Sequence, residues 1–235
     1  GDGLMLKVVA ASGGIPRLSG LVGLYWASDI GAANGSTVSS WSPNSGSMSA
    51  LGGAGNKPTY ATTGIGGKPS VHFTRASSQS LSAAISGPTT VWSVLSVLKL
   101  GSPSSTHIPV ALSTAVDVSY SPATISSQWY SRFDFVTAGT ASFAKGGTTD
   151  SNPHLITSMV NVRSGSVQVD GSTVGTTTIL ADASTPTTLI LGGASSWFFD
   201  GDIALVAVLS GVVTSDPQWP AFKAWVAAYY GMVIA

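Results

Sequence analysis

From Leu21 onward, short runs of β-branched, aromatic and aliphatic residues alternate with clusters of Gly, Ser, Asn and Pro. This rhythm constrains the fold more than any other feature. The runs at 21–26, 70–74, 89–99, 107–113, 116–120, 125–136, 154–163, 166–170, 173–179, 187–192 and 203–209 have strand composition and are bounded by turn formers. Many short strands joined by turns give an antiparallel sandwich or barrel, whereas a parallel sheet would need crossover helices between them. Two hairpins stand out. Val162-Arg-Ser-Gly-Ser-Val167 turns at Ser164-Gly165, and Val167-Gln-Val-Asp-Gly-Ser-Thr-Val174 turns at Asp170-Gly171, a pair suited to the positive φ angles of a type I′ turn. Helical spacing occurs once, at Trp219, Phe222, Trp225, Val226 and Tyr229. Ser215 or Asp216 caps that helix, Pro217 fits its first position, and Gly231 ends it.

Composition narrows the partners. Charged residues make up 9 % of the chain and cancel to a net charge of zero, against about 25 % charged in an average soluble protein. Nucleic acid, which needs clustered Lys and Arg to displace counterions, is excluded as a partner. Ser and Thr fill about a quarter of the sequence, so the surface is polar but neutral. Such a surface suits neutral ligands such as sugars, or cover by neighbouring subunits. No uncharged apolar run reaches the roughly 18–20 residues of a membrane span. Cysteine is absent, which weighs against a small disulfide-stapled module. Residues 1–20 hold one apolar run, Leu4–Ala10, followed by Ser12-Gly-Gly-Ile-Pro16. They read as an arm with a linker, or as an ordinary first strand, ahead of one domain over 21–235.

Several segments, in order, carry a resemblance: Gly23-Leu-Tyr-Trp-Ala-Ser-Asp29, Val38-Ser-Ser-Trp41, Asn44-Ser-Gly46, Lys57-Pro-Thr-Tyr60, Gly67-Lys-Pro-Ser-Val-His-Phe73, Val169-Asp-Gly171, Leu191-Gly-Gly193, Phe199-Asp-Gly-Asp-Ile203 and Tyr229-Tyr-Gly231. Together they resemble concanavalin A-like, laminin-G-like domains of bacteria and their phages, from about Leu21 to Met232. The resemblance implies an all-β fold: two antiparallel sheets stacked as a jelly-roll sandwich, with a short C-terminal helix packed across one edge. The chain departs from the pattern at Asn44, Leu205 and Tyr229, where such domains often carry Asp, Glu and Lys. Those departures put an inherited cation site in doubt. The scaffold hosts lectins, adhesion modules, glucanases, lyases and viral surface proteins, so it implies no single activity.

The acidic side chains argue against catalysis. All ten are Asp and none is Glu. Glucanases of this scaffold typically hold a Glu pair, one residue acting as acid and the other as base or nucleophile. Asp200 and Asp202 form the one i,i+2 acidic pair. In a strand they would share a face, suiting a calcium ion or an acid/base pair. In a turn at Asp200-Gly201 their carboxylates would instead bond backbone N–H groups. His72, His107 and His154 are isolated in sequence, with no metal-ligand spacing. His72 alternates with apolar neighbours and is expected at a sheet surface. No G-x-S-x-G elbow is present.

The aromatics divide between core and candidate platform. Trp26, Trp41, Trp92, Trp219 and Trp225 fall on apolar-periodic positions and are expected in the core. Trp129, Tyr130 and Phe133 lie in a Ser-rich run, and Trp197 follows Ala194-Ser-Ser196. Sugars stack on exposed aromatic faces beside amide and hydroxyl groups, so Gln128, Trp129, Tyr130 and Trp197 are the candidate glycan contacts. The expected function is that of a non-enzymatic, homo-oligomeric module of a phage virion surface, a capsid decoration or a fibre or tail component. It would have other virion subunits as partners, optional glycan binding and no obligate cofactor. The alternative is a carbohydrate-binding domain of a bacterial secreted or cell-surface protein.

Overall fold

A computed structural model describes residues 14–53, 55–86, 90–113, 118–125, 127–133, 142–179, 185–194 and 197–235. The strand-and-turn rhythm becomes two stacked antiparallel sheets, with a small two-stranded ribbon at one end. Along the first sheet the strands run Ser172–Thr178, Ser164–Val169, Pro153–Asn161, Val91–Leu100, Gly201–Ser210, Leu21–Trp26 and Ser45–Gly46. The hairpin Thr59–Ile65/Lys68–Phe73 joins the same sheet through the start of Gly201–Ser210. The second sheet runs Ser142–Thr148, Gln128–Phe133, Val118–Ile125, Val110–Ser113, Thr188–Leu191, Leu81–Ala84, Leu51–Gly52 and Ser40–Trp41.

Alternation along the strands fills the space between the sheets. Trp92, Val94, Leu98, Ile156, Val160, Val206 and Val208 from the first sheet meet Trp129, Phe133, Val110, Leu112, Leu189 and Leu191 from the second. Strands Val91–Leu100 and Gly201–Ser210 are buried on both faces, because the helix Trp219–Tyr230 lies on the outer face of the first sheet. Trp219, Phe222, Trp225, Val226 and Tyr230 pack there on Leu24, Leu95, Val97, Leu155, Leu205 and Leu209. The expectation of a helix across a sheet edge is therefore corrected: its apolar stripe covers the sheet face, where far more apolar area is removed from water.

The hairpin at Asp170-Gly171 forms as expected, with φ of 50° and 82° and Val169 opposite Ser172. The other turn is shifted. Asn161 pairs with Ser164, so the chain reverses at Val162-Arg163, with Val162 in the left-handed region at φ 54°. The expected strand 125–136 is two strands. Ile125 faces Gln128 across a turn in which Ser127 has φ 61°, and its last residues lie outside the described ones. The helix starts at Trp219 and not at Pro217, after a 3₁₀ turn over Val213–Ser215, and Gly231 closes it at φ 68°. Of the N-terminal segment, residues 1–13 lie outside the described ones, whereas Ile15 and Leu18 pack with the helix-covered cluster.

One side of the sandwich closes edge to edge. A Cβ at Gly146 would stand 1.8 Å from the carbonyl oxygen of Val174, and one at Gly175 would meet the Lys145 backbone at 2.5 Å. Strands Ser142–Thr148 and Ser172–Thr178, the ends of the two sheets, approach through these glycines. Neither leaves its edge open on that side.

Candidate functional site

The ribbon Gly193–Ala194/Trp197–Phe198 links the end of strand Thr188–Leu191 in the second sheet to the start of Gly201–Ser210 in the first. Its base is fixed. Gly192, at φ 86°, leaves no room for a Cβ, which would lie 2.2 Å from the Phe73 ring. Its N–H donates to Pro109 O, and Phe199 N–H donates back to Gly192 O. Phe199 is fully buried between Phe73 and His107, at ring separations of 6.0 and 5.9 Å. His107 is a structural residue, buried with Nε2 2.7 Å from Ser102 O.

Beyond that anchor the ribbon holds two half-buried aromatics. Trp197 packs on the outer face of the second sheet, against a small cluster of Ile108, Ala111 and Tyr130 that Ile190 extends. Tyr130 in turn touches Phe143 at 6.1 Å, and Phe143 is 44 % exposed. Phe198 opens a depression of about 620 Å³ with Thr74, Arg75, Ala76, Ser78 and Asp200. One end of the sandwich thus offers aromatic edges, hydroxyls, a guanidinium and a carboxylate within a short span.

Of the four residues read as glycan contacts, Tyr130 is corrected to a supporting residue, 3 % exposed with Trp197 packed against it, and Gln128 is exposed at the start of the strand that bears Tyr130. Trp129 is corrected. It is 0 % exposed, points into the core, and meets the edge of His154 at 5.5 Å, so it has no face to offer a ligand. Alternation makes the choice: Tyr130 faces out, so Trp129 must face in. Phe143 and Phe198 were not singled out from sequence. Phe143 sits between small residues in Ser-Phe-Ala, and Phe198 precedes the buried Phe199. Only three-dimensional placement separates either from a core residue.

The acidic pair divides. Asp200 lines the depression, while Asp202 Oδ1 accepts a 2.8 Å hydrogen bond from Ser70 Oγ and lies 3.3 Å from His72 Nδ1. That hydrogen bond to Asp202 raises the His72 pKa, with burial opposing it. His72 sits half-exposed at the sheet surface, as expected. Among the described residues no three His, Cys, Asp or Glu side chains gather in a metal-binding arrangement.

The structure also assembles a charged cluster that sequence spacing did not reveal. His154 Nδ1 lies 2.6 Å from Asp170 Oδ2 and its Nε2 lies 2.9 Å from Asp150 Oδ1. Burial lowers the imidazole pKa, but the two carboxylates outweigh it and hold it above its ordinary value. Burial pushes the Asp150 pKa up, and hydrogen bonds from His154 and Asn152 bring it below the usual carboxylate value. Asp170 Oδ1 also accepts from Leu155 N–H. Each carboxylate is thus turned onto one imidazole, not onto a shared reaction space.

No family model matches the chain, and no curated relative matches it. Solved structures do. Domain 4 of AbnA, a GH43 extracellular arabinanase from Geobacillus stearothermophilus solved in complex with arabinotriose, matches at TM-score 0.56 and 14 % identity over 88 % of this chain and 98 % of that domain. Trypanosoma rangeli sialidase matches at TM-score 0.56 and 15 % identity over 97 % of this chain. The chain spans only 36 % of that sialidase. The binding domain of botulinum neurotoxin serotype D matches at 0.59 and 8 % identity, over 82 % of this chain and 48 % of that one. At such identities the likeness is one of fold: the chain is a β-sandwich.

Proposed function

We propose that this chain is a non-catalytic glycan-binding module, contacting sugar through the ribbon end of the sandwich. The observation that carries the reading is the meeting of half-buried Trp197 and exposed Phe143 over the buried Tyr130 on one outer sheet face, beside the depression bordered by Phe198, Arg75 and Asp200. Aromatic faces stack on sugar rings, and the hydroxyls of Thr74 and Ser78 with the two charged groups can bond sugar hydroxyls. The absence of Glu supports a binding role over hydrolysis, as does the engagement of Asp150, Asp170 and Asp202 with histidines.

The finer reading, a concanavalin A-like module on a phage virion surface, rests on the collinear sequence resemblance and on a chain nearly free of charge and devoid of cysteine. Display of many copies on a particle would turn a weak contact into useful avidity. The likeness to domain 4 of an arabinanase solved with arabinotriose favours a second context, a domain attached to a secreted enzyme. Binding of purified protein to an array of neutral oligosaccharides, arabinotriose included, tests the shared reading. Trp197→Ala should abolish the signal while the protein stays folded, and binding that survives the change refutes this site. Capsid and tail genes beside the coding sequence would favour the virion, and hydrolase domains on the same polypeptide the secreted enzyme.

A further inference from the structure

A second concave site lies on the other sheet, away from the ribbon aromatics. On the outer face of the first sheet, the half not covered by the helix is lined by Asn161, Ser166, Gln168, Thr173 and Thr176, with Val212 and Thr214 forming a wall. The groove holds about 250 Å³. Its wall is pinned. Ser93 Oγ donates to Gly211 O at 2.8 Å and accepts from Val213 N–H at 3.0 Å, and Gly211 N–H donates to Val91 O.

A solvated sheet face would also be polar, but one lining residue separates this one from an ordinary solvated face. Gln168 is only 7 % exposed, and its amide is half-satisfied: Nε2 donates to Thr173 Oγ1 at 3.2 Å, while Oε1 has no donor. Exchanging the two ends of the amide leaves the other end without a partner, so the deficit does not depend on how it is assigned. A buried polar atom left unmatched costs on the order of 1–3 kcal/mol, and such atoms in native folds call for an account.

We propose that this groove is a binding site for a neutral, hydroxyl-rich ligand, a single sugar ring of a neutral glycan, independent of the ribbon site. The chemistry selects the class. None of the described lining residues is charged, so a charged ligand would lose its hydration without an ionic partner. An apolar ligand would leave the hydroxyls and amides unmatched. A sugar hydroxyl both donates and accepts, which suits the lining hydroxyls of Ser166, Thr173 and Thr176 and the amides of Asn161 and Gln168. A groove of about 250 Å³ has room for one sugar ring.

Backbone amide NMR on the intact protein, titrated with cellobiose, maltose, lactose and arabinotriose, and with glucuronate as the charged comparison, tests the inference. At least one neutral sugar should shift Ser166, Gln168, Thr173 and Thr176 in the millimolar range, with glucuronate inert there. Thr176→Arg, or Ser164→Arg on the neighbouring strand, which also lines the groove, places a long side chain from an exposed position into it. Either change should weaken those shifts about tenfold or more, while Trp197→Ala leaves them intact. The proposal is overturned if no neutral sugar perturbs these strands, if glucuronate does so equally, or if both blocking variants leave the response unchanged. Shifts confined to the Trp197 face and lost in Trp197→Ala would overturn the groove while sustaining the ribbon site.

Discussion

Replacing His154 with Gln removes a cation held between two carboxylates, and the structure sets both the size and the pH dependence of the effect. The His154 and Asp170 side chains are 13 % and 25 % exposed, so their 2.6 Å contact ranks as a partly buried, charge-assisted hydrogen bond worth about 1.5–3 kcal/mol. The Asp150 partner is 48 % exposed, and solvent screening reduces its share to about 0.5 kcal/mol or less. The sum is about 2–3 kcal/mol. The folded imidazole has a raised pKa, so its contribution is fully present below the unfolded value of 6.5 and is lost as pH rises through the folded value. On the acid side, the depressed Asp150 pKa means that its part fades as pH falls through the folded carboxylate value. The wild type should therefore exceed His154→Gln by about 2–3 kcal/mol near pH 5.5, a Tm difference of about 4–12 °C for a chain of this size. The gap should shrink well above pH 7. Urea and thermal unfolding at several pH values, with the variant as its own reference, isolate this group from the similarly raised but more exposed His72. A gap that stays constant with pH, or an imidazole titrating at or below its ordinary value by NMR, would refute the reasoning.

Other outcomes follow from burial and packing. Trp129→Ala should cost about 3–5 kcal/mol because it empties a fully buried indole site, whereas Trp197→Ala should cost about 1 kcal/mol or less and remove sugar binding; calorimetry with glycan titration separates the two. Gly146→Ala should destabilise by about 1–3 kcal/mol or more, since its Cβ would stand 1.8 Å from a backbone oxygen, and faster limited proteolysis at the two abutting edge strands would report it. Millimolar calcium or EDTA should move Tm by less than about 1 °C; a rise of several degrees with calcium, lost in Asp200→Asn, would assign a cation to that residue.

Much of the fold is legible because local and global demands agree. The Asp-Gly pair at 170–171 and the helical spacing from Trp219 to Tyr229 each correspond to an element, and Trp41, Trp92, Trp219 and Trp225 are buried as expected. Legibility fails where the core itself is polar. Trp129 lies in a Ser-rich run that reads as exposed, yet Ser131 in that run is buried and pairs with Ser158 across the sandwich. A hydroxyl pair in the interior looks like a loop in sequence. Strands Thr59–Ile65 and Ser142–Thr148 escaped for a related reason: Thr, Gly and Ala dominate them, and much of each is exposed. The His154 cluster hides because Asp170 is 16 residues away and arrives through a hairpin.

The candidate sites were less legible than the fold, since both depend on pairings between distant strands. Trp197 reaches Tyr130 only because the ribbon folds over the second sheet, and Gln168 stands beside Thr157 and Thr173 only through the register of three strands. What composition did constrain is the chemistry of whatever binds. With ten basic and ten acidic groups in 235 residues, and several acids committed to histidines, the groups available for recognition are mainly aromatic faces, amides and hydroxyls, with Arg75 and Asp200 the charged exceptions. Those groups discriminate poorly among charged partners and well among patterns of hydroxyls, because a buried amide or hydroxyl left unmatched costs more than a matched one contributes. If the proposed reading holds, such a chain would bind neutral polyols with modest affinity, and repetition, not charge, would make the binding tight.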